Sequence, residues 1–274
     1  MTNRKFWAAA AVSTVALACA GSAFAQFNTD EAGLRARDKA AYDKVAAAVE
    51  ADKKHPRIGG IWSGETVATV KTLDGKIPPL NAAGQKLYRE RIAERKAGNL
   101  KNDPVEYCLP PGTPRSLWSG EPVMIGQAPV KVTFYHQYRH LIRHVFLDGP
   151  VKLEEPDPNW EGHSSGWWEG DTLRIETIGF NGEQWLDTAG LPQSPDMKVA
   201  ETIKLLDQNT LEDTVTITDA KFYSAPWSTK VTYKRLPDNA RMPEEECSEK
   251  LLEFPLKPYA PSDGGTGHGA RGGN

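Results

Sequence analysis

Apolar and polar positions alternate through most of the chain after about residue 123, and recur at helical spacing in stretches before it. The runs 130–136 and 141–147 alternate with period two, the mark of a strand with one face buried. Gln137-Tyr138 between them predicts a hairpin turn. The run 171–178 follows a Gly170-Asp171 turn. The runs 202–206 and 211–218 flank the polar turn Asp207-Gln208-Asn209, and 229–236 follows Pro226. β-Branched residues are frequent in these runs. Short strands in sequence with no helix between them predict an antiparallel sheet curling into a barrel or sandwich.

Upstream the period changes. Residues 28–53 are dense in alanine, carry Asp30 and Glu31 early, and space Leu34, Ala41, Val45 and Val49 as a helix does. Pro56 and Gly59-Gly60 end that stretch. A second helix is predicted after Asn81, a good N-cap, running through Leu87, Tyr88 and Ile92 to Gly98. Residues 104–122, with Pro104, Pro110, Pro111, Gly112 and Pro114 around Cys108, predict a loop. Residues 260–274 are Gly-rich without periodicity and predict a disordered tail.

The first 25 residues fit neither pattern. Arg4 and Lys5 precede an apolar run, and Ala23-Phe24-Ala25 is a small-x-small cleavage site, so residues 1–25 predict a cleaved secretory signal peptide. The run is too short to span a membrane comfortably. Cys19 lacks the leucine three residues before it that a lipoprotein signal carries, and the paired arginines of a twin-arginine signal are absent. A periplasmic or secreted location follows, with no membrane span. Removing Arg4 and Lys5 leaves 31 of the 33 basic residues against 36 acidic ones, a net charge of −5. Such a surface gives no electrostatic footprint for nucleic acid. Cys108 and Cys247 remain after cleavage. In an oxidising compartment they predict a disulfide, closing a loop worth up to about 5 kcal/mol in the chain-entropy model.

Candidate chemistry is sparse. Gly162-His163-Ser164-Ser165-Gly166 has the spacing of a serine nucleophile elbow, but a strand pattern rather than a helix follows it. The only later histidine is His268, in the tail. No Cys/His spacing of zinc type appears, so neither metal nor cofactor is expected. The register of the hairpin decides whether His136 and His140 share a face. A two-residue loop separates them, and a three-residue loop pairs them and aligns Val132, Phe134, Ile142 and Phe146 with them. His163 and His136 are candidate acid–base groups, with Glu169 and Asp187 as carboxylate partners. Arg143, if inward, could hold a ligand carboxylate. Tyr135, Trp168 and Trp185 are candidate ligand-binding aromatics.

A wider pattern is visible. Cys108-Leu109-Pro110 with Gly112, Pro114 and Arg115 opens it. Gly162-His163-Ser164, Gly166, and Trp168-Glu169-Gly170-Asp171-Thr172-Leu173 continue it, and Asp187, Glu201 and Pro226-Trp227 complete it. Over about residues 104–250 this resembles a family of secreted, mostly uncharacterised Gram-negative bacterial proteins. The resemblance implies export and a shared β fold, and no reaction. Gln193 and Thr202 stand where that family usually has a histidine and an arginine.

The sequence therefore predicts a mainly β, antiparallel, barrel-like domain of lipocalin-like character over 104–259, preceded by a helical extension over 26–103 with two helices. The expected function is an extracytoplasmic enzyme, a lyase or isomerase, doing cofactor-free acid–base chemistry on a small apolar, aromatic or sugar-like molecule. The alternative is a ligand-binding or carrier protein on the same fold.

Overall fold

The computed structural model describes residues 31–99, 102–152, 154, 156–245 and 247. The segments expected to be a signal peptide and a disordered tail lie outside the described residues. The chain divides into two units, residues 1–53 and 54–274. The first holds helix α1 (Glu31–Asp52), on which Lys39 donates to Asp43 one turn later at 2.6 Å.

The second unit is a closed nine-stranded barrel: β1 (Gly60–Ser63), β2 (Val123–Ala128), β3 (Lys131–His136), β4 (Ile142–Phe146), β5 (His163–Glu169), β6 (Thr172–Ile178), β7 (Lys198–Asp207), β8 (Thr210–Thr218) and β9 (Trp227–Arg235). Strands pair in chain order, and β1 closes the ring by pairing with both β2 and β9. The barrel thus takes its first strand from inside the stretch read as a helical extension. Eight of the nine neighbouring pairs are antiparallel. The exception is β4 and β5, which run parallel because residues 147–162 cross between them instead of turning back. Helix α2 (Ala82–Lys96) lies between β1 and β2 in the chain, and Asn81 caps it by accepting the Gly84 N–H at 3.0 Å.

Alternation builds the core. Leu173 and Ile175 on β6, Val199 and Ile203 on β7, Leu211, Val215 and Ile217 on β8 and Val231 on β9 are buried in the inward phase of their strands, and the alternate positions face outward. Apolar side chains therefore fill much of the barrel interior.

The hairpin between β3 and β4 follows neither of the two registers weighed from sequence. His136 donates its N–H to the Leu141 carbonyl at 2.8 Å, leaving the four residues 137–140 in the loop. Arg139 and His140 take positive φ there, at 57° and 51°. Adding one loop residue to the three-residue register shifts β4 by one position and exchanges its faces. Val132, Phe134 and His136 point inward with Arg143 and Val145, whereas Ile142 and Phe146 are exposed and His140 lies outside.

A loop from Asp103 to Trp118 carries two short 3-10 turns. Arg115 and Asp103 form a buried two-bond ion pair at 2.6 and 2.8 Å beneath it. Cys108 of this loop is joined to Cys247 by a disulfide, with Cα atoms 5.8 Å apart.

Candidate functional site

Among the polar residues at inward positions of the barrel, where the alternation calls for apolar ones, are Arg143 on β4, Thr177 on β6, Glu201 on β7 and Asp213 on β8. Ser164 on β5 joins them, and all five are buried. Arg143 binds the set together. Its Nε donates to Ser164 Oγ at 2.9 Å, Nη1 to Glu201 Oε1 at 2.9 Å, and Nη2 to Thr177 Oγ1 at 2.8 Å and to Glu201 Oε2. Four of its five N–H groups are thereby used. Burial works against the Arg143 charge, and the charge and hydrogen bonds of Glu201 more than offset it. Asp213 lies beside Glu201. Burial first, then the Glu201 charge and a side-chain hydrogen bond to it, push the Asp213 carboxyl well above the usual carboxylate range.

The β4–β5 pair opens this cluster to the outside. Only Val145–Ser164 and Phe146–Ser165 are in ladder register. Ahead of them the two strands are unpaired, and a cleft of about 570 Å³ enters between Ile142–His144 on one side and Asn159–His163 on the other. Arg143, Glu161, His163 and Ser164 line it. Glu161 is the chemically unspent group. Its Oε2 accepts the Thr113 hydroxyl at 2.7 Å, and its Oε1 is buried with no partner. Burial raises the Glu161 carboxyl, against the lowering effects of the Thr113 hydrogen bond and the Arg143 charge. His163 Nε2 lies 2.8 Å from the Asp157 carbonyl oxygen and 3.1 Å from the Asn159 side-chain nitrogen. A larger groove of about 710 Å³ runs between residues 151–158 and strands β6 and β7, but it meets the buried polar set only at Thr177.

Of the residues singled out from sequence, Arg143 and His163 come together in this cleft. His136 and Tyr135 line a different one at the turn end of β3 and β4. His136 is inward and buried, and burial, then the Arg143 charge, push its imidazole down to about 3. Tyr135 faces outward. Glu169 and Asp187 do not line the cleft. Glu169 is exposed at the end of β5, paired with Arg174 at 2.9 Å and Trp167 Nε1 at 3.0 Å, which lower its carboxyl. Asp187 is buried as a turn anchor. Its oxygens accept the backbone N–H groups of Val70, Gly190 and Leu191 at 2.8–2.9 Å, and burial raises it nonetheless. Trp168 stacks on His55 with ring centres 4.7 Å apart, and Trp185 is buried with Arg91 over its ring.

Glu161 and Asp213 carry site chemistry that the sequence reading does not name, and Glu201 enters it only as part of the wider pattern. For Asp213 a signal existed: it occupies an apolar-phase position between Leu211 and Val215. Glu161 sits between Trp160 and Gly162 in a loop, where no pattern separates it from a solvated acid. The motif Gly162–Gly166 leads into β5, and Ser164 is a buried partner of Arg143 and Thr177 at 2.9 Å rather than a nucleophile on a strand–helix turn.

Among the described residues no group of three or more His, Cys, Asp and Glu side chains is arranged to hold a metal ion, and no helix is long and apolar enough to cross a membrane. The fold and site define a closed β barrel with an internal arginine–carboxylate cluster beside one seam that is paired over only part of its length. Compared with known protein families and with curated proteins, the chain matches no family model and no curated sequence.

Proposed function

We propose that this is an extracytoplasmic enzyme of lyase or isomerase type, doing acid–base chemistry on a small aromatic or sugar-like molecule in the cleft between β4 and β5. The observation that carries the reading is Glu161. It is a carboxyl raised by burial, with one oxygen unbonded, in a cleft large enough for a small molecule. A protonated carboxyl donates to substrate oxygen. His163 takes the proton that leaves carbon, and the remaining Nη1–H of Arg143 supports the negative charge that develops. The Cys108–Cys247 disulfide supports export, since such bonds persist in oxidising compartments.

A second reading, a ligand-binding or carrier protein using the same cleft, draws support from Arg143. Most of its N–H groups are already satisfied within the protein.

One experiment separates the two. A mixture of small aromatic and sugar compounds is incubated with the wild type and with Glu161→Gln, then analysed by mass spectrometry. The enzyme reading expects a compound consumed by the wild type, with products of equal mass or of mass summing to the parent, and a loss of about 100-fold or more in Glu161→Gln. Retention of a compound without conversion supports the carrier. Equal turnover by both proteins removes Glu161 from the chemistry.

A further inference from the structure

The outer face of β2, β3 and β4 departs from the rest of the barrel wall. Met124, Tyr135 and Ile142 form one cross-strand row, Gly126, Thr133 and His144 the next, and Ala128, Lys131 and Phe146 the third. Met124, Tyr135, Ile142 and Phe146 are all exposed, and so is Val130 in the turn beside the third row. Lys131 is the only Lys, Arg, Asp or Glu among these nine positions. In the middle row Thr133 Oγ1 and His144 Nδ1 pair with each other at 3.2 Å. By contrast, outward positions of β7, β8 and β9 carry Lys198, Lys204, Glu212, Lys230 and Lys234. Among the described residues, β6, β8 and β9 hold no exposed large apolar side chain. An antiparallel sheet normally turns polar residues to water, so this apolar face marks a contact surface.

The chain carries its own candidate cover to this place. Met242, Pro243 and Glu244 share a cleft of about 490 Å³ with Met124, Tyr135 and Ile142, at the edge of the first row. Arg139 Nη1 donates to Glu245 Oε1 at 2.6 Å, and the Glu245 backbone N–H donates to His140 Nε2 at 2.8 Å. Two residues further on, Cys247 is tied to Cys108. The chain therefore leaves the described structure beside this face. Residues 251–259 then read Leu-Leu-Glu-Phe-Pro-Leu-Lys-Pro-Tyr. Leu252, Phe254 and Leu256 alternate with Glu253, Pro255 and Lys257, a strand-like period with one apolar side. Pro255 and Pro258 bias the residues before them to extended backbone. Leu252 to Leu256 and Ile142 to Phe146 have equal length, about 13 Å of extended chain. A segment tethered this closely acts at an effective concentration on the order of millimolar, which favours it over a separate partner.

We propose that residues 251–259 of the same chain seat on the outer face of β2–β4, with Leu252, Phe254 and Leu256 packed against Met124, Tyr135, Ile142 and Phe146. Ile142, His144 and Phe146 also line the cleft that holds Glu161, so the seated segment borders that cleft. The contact does not depend on the chemistry proposed for Glu161.

The test uses the chain from residue 26 to residue 274 with its disulfide intact and its methionine and isoleucine methyl groups labelled with carbon-13. NMR reads nuclear Overhauser contacts between the Phe254 ring and the methyl groups of Met124 and Ile142, and sedimentation reads the oligomeric state. Contacts to both methyl groups in a monomer are expected, with their loss in Phe254→Ser. A second measurement follows oxidation of Met124 by dilute peroxide, with Met197, 1 % exposed, as the internal reference. The triple variant Leu252→Ser, Phe254→Ser, Leu256→Ser leaves the barrel core untouched and is expected to oxidise Met124 severalfold faster than the wild type. Equal rates in the two proteins, or a monomer without the Phe254 contacts, overturn the proposal. So does a dimer in which isotope-filtered spectra assign the contacts on this face to the second copy.

Discussion

Arg143 is the residue on which the interior turns. A lone guanidinium inside a barrel would be untenable, and here Glu201, Ser164 and Thr177 surround it. Removing one partner leaves the other charge buried without compensation. Arg143→Met and Glu201→Gln should each destabilise the protein by about 3–5 kcal/mol in chemical denaturation. The double variant should cost clearly less than the sum of the two. Additive losses would show that the two side chains do not depend on each other. Sequence named Arg143 as a residue of interest only on the condition that it pointed inward. Whether it does depends on one residue of loop length, and Arg139 and His140 in positive φ make that extra residue possible. Backbone of that kind at arginine and histidine has no sequence signature, so the facing of β4 was not legible.

At the scale of elements, β5 and its parallel seam create the candidate site. Sequence assigned no strand to residues 163–169, because Ser164, Ser165 and Gly166 lack the β-branched character of the other strands. Their smallness has a tertiary reason. A Cβ on Gly166 would meet the Arg174 carbonyl at 2.7 Å and Val145 Cγ1 at 3.0 Å. Gly162, which precedes the strand and lines the cleft, has φ +65°, and a Cβ there would lie 2.7 Å from Thr177 Cγ2 and 2.8 Å from the Ile178 carbonyl. Gly170 has φ +59° with nothing within 4 Å. Gly162→Ala should therefore lower the melting temperature distinctly more than Gly170→Ala, which bears only the left-handed penalty of about 1 kcal/mol. Equal shifts would mean that the contacts at Gly162 relax freely. By contrast α2, with its Asn81 cap, and the alternating strands β6 and β8 were legible. Local chemistry and tertiary burial agree in those elements.

At the scale of the whole molecule, a mainly β barrel with helices before it was readable from period alone. What fills and opens the barrel was not, because inward charges are fixed by neighbours on other strands. Those charges tie stability to pH in opposite directions. His136 is pushed down to about 3, so below about 6.5 the unfolded chain takes up a proton that the folded chain refuses. That contribution is full above about 6.5 and is lost as pH falls towards 3. Glu161 and Asp213 are raised, so the folded chain keeps protons that the unfolded chain releases above about 4. Their contribution is full at low pH and is lost as pH rises through their folded values. The cleft chemistry rests on the Glu161 carboxyl holding its proton beyond the ordinary range. A carbon-13 NMR titration of carboxyl-labelled protein, with the resonance assigned by its loss in Glu161→Gln, reads that property directly. The account predicts a Glu161 midpoint above the ordinary glutamate value of about 4.3, and a midpoint at or below that value would contradict it.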